Sequence, residues 1–139
     1  MASVQKSLRI PEDTAHAVEE LARSSRWDFS SVANEMLEEV VKMRRCPGSI
    51  FADGPSSRRA CIAGTGLEVW EVISAYNNLD RDLIRLCQSY HWLDEIQLRA
   101  ALAYYAAYTD EIDRRIQLDE TWTKERLVEE YPILSGHRS

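Results

Sequence analysis

Nothing in these 139 residues is long and apolar enough to cross a bilayer, which takes roughly 18 to 20 consecutive apolar residues. The N-terminal residues hold no apolar stretch of the kind that leads a signal peptide, so a cytoplasmic protein without membrane attachment is expected. Cysteine is sparse and odd in number. Cys46, Cys61 and Cys87 lie far apart, as do His16, His91 and His137, and no pair has metal-ligand spacing. Three scattered thiols suit small buried side chains in a reducing compartment. Cys46, beside Arg44 and Arg45, is the one whose pKa neighbouring charge would lower, yet no base stands near it. There is no Ser-His-Asp order, no phosphate-binding glycine loop and no His-Glu metal motif; Gly64–Thr65–Gly66 is too short for a nucleotide loop. Neither an enzyme nor a cofactor is expected. Repeats and low-complexity tracts are absent too.

Positive charge is also in short supply. The net charge of −6 argues against a general nucleic-acid coat. Its distribution says more. Residues 1–47 hold seven Lys/Arg and eight Asp/Glu, a net of 7 − 8 = −1, and residues 48–139 hold ten and fifteen, a net of −5. The acid therefore sits behind a nearly neutral front, and the first eleven residues carry Lys6 and Arg9 with no acid.

What is present is periodic. Residues 4–10 alternate as a strand does, with Leu8 and Ile10 on one face and Gln5, Ser7 and Arg9 on the other. Pro11 ends that strand and suits a helix start, where Glu12 and Asp13 follow. Ala15, Val18, Leu21 and Ala22 recur at helical spacing until a break at Ser24–Asp28. Ser30 is a fitting N-cap for a second amphipathic helix, striped by Ala33, Met36, Leu37, Val40 and Val41 and ending near Arg44–Arg45. Residues 46–66 are rich in turn signals, with two strand-like pieces at Ser49–Phe51 and Arg59–Ala63. They read as a linker with a short β-hairpin, and as the domain boundary. Residues 67–139 read as helical. Val69, Val72, Ile73 and Tyr76 form one stripe. Asp80 is the expected cap of the next helix, with Leu83, Ile84, Cys87 and Tyr90 as its stripe. A third starts at Asp94 with Leu98, Ala101, Leu102 and Tyr105 inward, and a restart at Thr109 continues the seam through Ile112 and Ile116. A last amphipathic piece carries Trp122, Leu127 and Val128 to Tyr131–Pro132. The fold class is mainly α.

A lone strand leaves its backbone groups unpaired, and two short helices make a poor core. Two chains that lay their strands antiparallel and interlock their helix pairs solve both problems. "SLRIPEDTAHAVEELA" followed by "FSSVANEMLEEVV" resembles the CopG-like ribbon-helix-helix family over residues 3–45, with residues 1–45 as the dimerisation and DNA-binding domain. The resemblance implies a homodimer whose two-stranded ribbon enters the major groove of operator DNA. Gln5, Ser7 and Arg9 would then meet base edges, Lys6 a phosphate, and the free N–H groups near Ser30 and Ser31 another phosphate. The plainer alternative is that the outward strand residues are merely solvated.

The second half carries another resemblance. Gly64–Thr65, Val69–Trp70–Glu71, His91–Trp92–Leu93 and Arg99–Ala100–Ala101–Leu102–Ala103–Tyr104 are similar to a small helix-turn-helix domain of VapB-type antitoxins, encoded beside PIN-like ribonuclease toxins. Members often have Arg after the Gly-Thr pair, where this chain has Gly66; Arg58 or Arg59 is the candidate replacement. This domain is expected to be a poor DNA reader, because the helix that starts at Asp94, its expected recognition helix, exposes Asp94, Glu95 and Gln97 early and only Arg99 as a base. Residues 110–130 hold eight acids against four bases, as a helix covering a basic ribonuclease cleft would. The expected toxin-binding residues are Tyr104, Tyr108, Trp122, Leu127, Val128 and Tyr131, aromatic or apolar anchors on that acidic half. For Tyr104, Tyr105 and Tyr108 the alternative is core packing of one or two. The expected function is an antitoxin that neutralises the ribonuclease and represses its own operon. A stand-alone dimeric ribbon-helix-helix regulator with a ligand-sensing or accessory helical domain is the alternative.

Overall fold

A computed structural model describes residues 2–54 and 57–130, and within the last helix the side chains of residues 127 and 130 are not described. Among the described residues the protein is mainly helical, with a single two-stranded antiparallel sheet. No described helix is long and apolar enough to cross a membrane. The chain divides into two compact units, Met1–Val41 and Lys42–Ser139.

In the first unit, α1 spans Glu12–Ser25. Pro11 sits just outside it, at φ −53° and ψ 142°, and its carbonyl accepts from the Ala15 N–H at 2.9 Å. Glu12 and Asp13 lie in the first turn, where the helix dipole favours carboxylates. The helix ends in a Schellman arrangement: the Trp27 N–H donates to the Ala22 carbonyl at 3.0 Å and the Arg26 N–H to that of Arg23 at 3.3 Å. That requires a left-handed residue, and Arg26 takes the place at φ 61° where glycine is usual.

Helix α2 spans Phe29–Arg45. Its cap is not Ser30, as the sequence suggested, but Asp28, whose Oδ1 accepts from the Ser31 N–H at 2.8 Å. A carboxylate there satisfies an orphan donor and also complements the helix dipole, which a hydroxyl does not. The unit's buried core is Val18, Ala22 and Val32, with Phe29, Ala33 and Met36 partly buried around it. Residues 2–10 pair with no strand of their own chain, and all are exposed.

In the second unit, β1 (Ser49–Asp53) and β2 (Arg58–Ile62) pair in the register Ser49↔Ile62 to Asp53↔Arg58. Four further helices follow: α3 (Val69–Asn78), α4 (Leu83–Ser89), α5 (Glu95–Ala107) and α6 (Thr109–Glu130). The hairpin is no linker. Ala60 and Ile62 belong to the same core as Val72, Ile73, Leu86, Leu98, Ala101, Tyr104, Ile112 and Ile116, with Phe51 packed against it. Gly48 makes this possible: at φ +95° a Cβ there would lie 2.9 Å from the Ala100 methyl.

Asp82, not Asp80, caps α4, accepting from the Ile84 and Arg85 N–H groups at 2.9 and 3.3 Å. Asp80 and Arg81 instead form the left-handed turn before it. Asp94 precedes α5 as expected, with its N–H donating to Gln97 Oε1 at 2.9 Å. The seam Ile112–Ile116 is buried. The expected separate last piece is absent: α6 is one helix of 22 residues, since no Gly or Pro interrupts residues 109–130.

Candidate functional site

Gln5, Lys6, Ser7 and Arg9 lie together on the exposed segment that precedes α1. Both α2 serines are exposed, but the Ser31 N–H is committed to Asp28. The Ser31 hydroxyl and N–H together hold the Asp28 carboxyl below its usual pKa, so it is charged at neutral pH. The phosphate site expected on the N–H groups near Ser30 and Ser31 therefore already contains an anion of the protein's own. A sequence search for caps could have found Asp28, which offers the same three-residue spacing to Ser31 that Ser30 offers to Ala33.

Around this segment the first unit leaves much apolar surface uncovered. Val4, Leu8, Ile10, Leu21, Trp27, Leu37, Val40 and Val41 are eight large exposed hydrophobics, against three buried side chains. Leu8 is 70 % exposed and Leu37 59 %. Leu21, Leu37, Val40 and Val41 were expected on inward stripes. They do lie at helical spacing, but one helix pair has nothing to lay over them.

The acidic half resolves into two parts. Tyr104, expected at a surface, is fully buried: its ring packs 6.4 Å from that of Phe51 and 5.1 Å from that of Tyr108. Its hydroxyl donates to Glu111 Oε2 at 2.6 Å, and Glu111 Oε1 meets Lys42 Nζ at 2.5 Å. Burial, then the bond to Glu111, pushes the Tyr104 phenol up, so it stays a donor. Counting periodicity from Leu98 and Ala101 gives Tyr104 or Tyr105 as the next inward residue; the helix chooses Tyr104 and leaves Tyr105 half-buried. Tyr105 instead donates to Asp113 Oδ1 at 2.7 Å. Tyr108 is half-buried with Lys42 Nζ 5.1 Å from its ring centre.

From Glu120 to Glu129 every described side chain of α6 is exposed. Trp122 is 61 % exposed and Val128 38 %. Leu127 lies in the helix, its side chain outside the described part, and Tyr131 lies outside the described residues. Cys46 is buried, and that burial raises its pKa against the lowering pull of Arg45, so the thiol is protonated. Among the described residues no group of three His, Cys, Asp or Glu could hold a metal ion.

One concave feature was not foreseen. A cleft of about 360 Å³ opens between the hairpin and α6, lined by Lys42, Arg58, Arg59, Arg114 and Arg115, with Trp70 in its wall. The signal was present as two Arg-Arg doublets in an acidic chain, Arg58–Arg59 and Arg114–Arg115, which the fold brings to one place. Arg59 Nε lies 3.2 Å from Glu68 Oε1. The chain matches no family model, no curated protein and no solved structure.

Proposed function

We propose that the protein is a homodimeric antitoxin: residues 1–45 pair with a second copy and bind operator DNA, and the acidic second half holds a PIN-like ribonuclease. The observation that carries the first part is the imbalance in the first unit. Three buried side chains cannot offset the ordering cost of forty residues, and eight exposed large hydrophobics flank an unpaired segment. A second copy would supply both the missing strand partner and the missing cover. Gln5 and Arg9 would then face bases from the ribbon, and Lys6 a phosphate.

Support for the second part is the exposed, carboxylate-rich end of α6. It presents Trp122, 61 % exposed, and Val128, 38 % exposed. The toxin-binding set of this reading is Trp122, Leu127, Val128 and Tyr131, with Tyr108 at its edge; Tyr104 is excluded by its burial. Sedimentation equilibrium on the full chain tests the dimer. A two-fold species at micromolar concentration is expected, and a stable folded monomer there removes the ribbon reading. A chain ending at Asp119, which keeps Glu111 and the core residues Ile112 and Ile116, should keep the dimer and lose ribonuclease inhibition; full inhibition by that chain removes the exposed end of α6 as the inhibitory segment.

The basic cleft favours the second reading, a dimeric regulator whose helical unit senses a ligand. The two separate on whether a PIN-like nuclease is encoded beside this chain and co-purifies with it.

A further inference from the structure

We propose that the cleft between the hairpin and α6 is a binding site for a phosphate ester of small-molecule size. The argument starts from charge. The chain is acidic overall, yet five of its seventeen Lys and Arg residues line this one cleft, and Glu111 is its single carboxylate. The lining therefore carries 5 − 1 = +4. Two nearby acids reduce the field without filling the site: Asp53 pairs with Arg58 at 3.1 Å and Glu68 with Arg59 at 3.2 Å. Counting them leaves 4 − 2 = +2. Glu111 itself is held by Lys42 and the Tyr104 hydroxyl and points its charge into those bonds. Among the described residues neither Arg114 nor Arg115 has an ion-pair partner.

The second line of argument is the hydrogen-bond inventory. Buried polar atoms are nearly always satisfied, so an orphan asks for an explanation. Three buried side-chain atoms without a hydrogen bond lie on residues of this lining: Arg59 Nε, which faces Glu68 Oε1 at 3.2 Å as an ion pair, and Trp70 Nε1 and Arg115 Nε. All three are donors and nothing else. A site whose loose ends are all N–H groups, set in positive charge, calls for a ligand made of acceptors with negative charge. The Arg115 guanidinium lies 5.4 Å from the Trp70 ring centre, which holds it in place at the cleft wall. Arg58 is likewise oriented, donating to the Phe51 carbonyl at 3.3 Å, and Arg59 Nη1 donates to Ser57 Oγ. Guanidinium groups fixed from several sides suit the several oxygens of a phosphate better than the two of a carboxylate. The volume, about 360 Å³, is at the small end for ligand pockets and leaves room for the ester group, not for a folded polymer. This site shares no lining residue with the exposed end of α6 or with the N-terminal segment, so it stands whichever function those serve.

The test is isothermal titration of the full-length protein at low ionic strength with inorganic phosphate, adenosine monophosphate and adenosine. Saturable binding of both phosphate-bearing probes and none of adenosine is expected. Tighter binding of the nucleotide than of phosphate would show that the ester group is also held; equal binding would show that the phosphate alone is read. Arg115→Ala should weaken binding by about tenfold or more, the loss of one charge-assisted bond. Trp70→Phe keeps an aromatic face, removes the Nε1 donor, and should weaken it severalfold. Arg99→Ala, on the exposed face of α5 and paired only with Glu95, should change nothing. If Arg115→Ala fails to fold by circular dichroism, Arg114→Ala takes its place in the comparison. Absence of saturable binding by either phosphate probe overturns the proposal, and so does binding that the arginine variants leave intact.

Discussion

Residues 1–41 bury Val18, Ala22 and Val32 and leave eight large hydrophobics in water, whereas the unit that follows buries twelve residues in one cluster around Tyr104, Ile73 and Leu86. Both were built from stripes that look alike in sequence. Leu98 and Leu37 each sit at the right helical spacing, yet one is fully buried and the other mostly exposed. The difference lies in what the chain supplies opposite each stripe. Leu98 shares its cluster with residues of the hairpin, α3, α4 and α6, whereas Leu37 is exposed. A stripe states that burial is wanted, and only the rest of the fold, or a second molecule, states whether it is obtained.

The largest effect that sharpens this contrast is in the second core. Leu98→Ala should cost about 2–5 kcal/mol in urea unfolding. A loss under 1 kcal/mol would mean that this core is loosely packed. Leu37→Asp tests the other side. In an isolated chain an exposed position tolerates the change within about 0.5 kcal/mol; across a dimer interface it should abolish the two-fold species in sedimentation. If the variant sediments and melts like the parent, the exposed face is not an interface.

Next comes Arg9→Ala, expected to weaken operator binding by about 1–3 kcal/mol and to relax preference at one base pair per half-site. Titration on operator and scrambled duplex at fixed salt reads this; unchanged specificity would leave the ribbon without a base-reading role. Glu111→Ala should cost the second unit about 1–3 kcal/mol, because the buried Tyr104 hydroxyl loses its acceptor. Tyr104→Phe in the same background should restore most of it, and failure to do so would place the cost elsewhere.

The smallest effect concerns pH. Burial, and then the neighbouring Glu68, raises the Glu71 carboxyl above its usual value. A raised folded-state pKa stabilises fully below the unfolded pKa and is lost as pH rises through the folded value. Glu71→Gln should therefore raise the melting temperature at neutral pH, by less than about 1 kcal/mol in stability, and leave it unchanged in acid. An equal shift at both would assign the effect to packing.

Most helices were legible. The Pro11–Glu12–Asp13 start, the Asp94 start and the Thr109 restart each rest on chemistry contained within one turn. Two caps were misplaced by two residues, Ser30 for Asp28 and Asp80 for Asp82, because several residues nearby could each cap a helix and only the backbone decides which one does. The hairpin was found but its role was not, since a run of turn residues looks the same whether it links two cores or packs into one. Enrichment of tyrosine at interfaces points Tyr104 outward, whereas the hydroxyl can be buried because it finds an acceptor seven residues away, across a helix break. The cleft was illegible for a longer-range reason: its two Arg pairs are more than fifty residues apart.

The carboxylate at the start of α2 has a kinetic meaning as well. Asp28 works as a latch on the Ser31 N–H. Under the proposed DNA-binding reading, a phosphate at this helix end would exchange one anion for another and would not be a simple addition, so it would yield little net affinity. Asparagine would keep an accepting oxygen, so Asp28→Ala is the change that takes the latch off, and under the proposed reading it should speed association with duplex more than it changes the final occupancy.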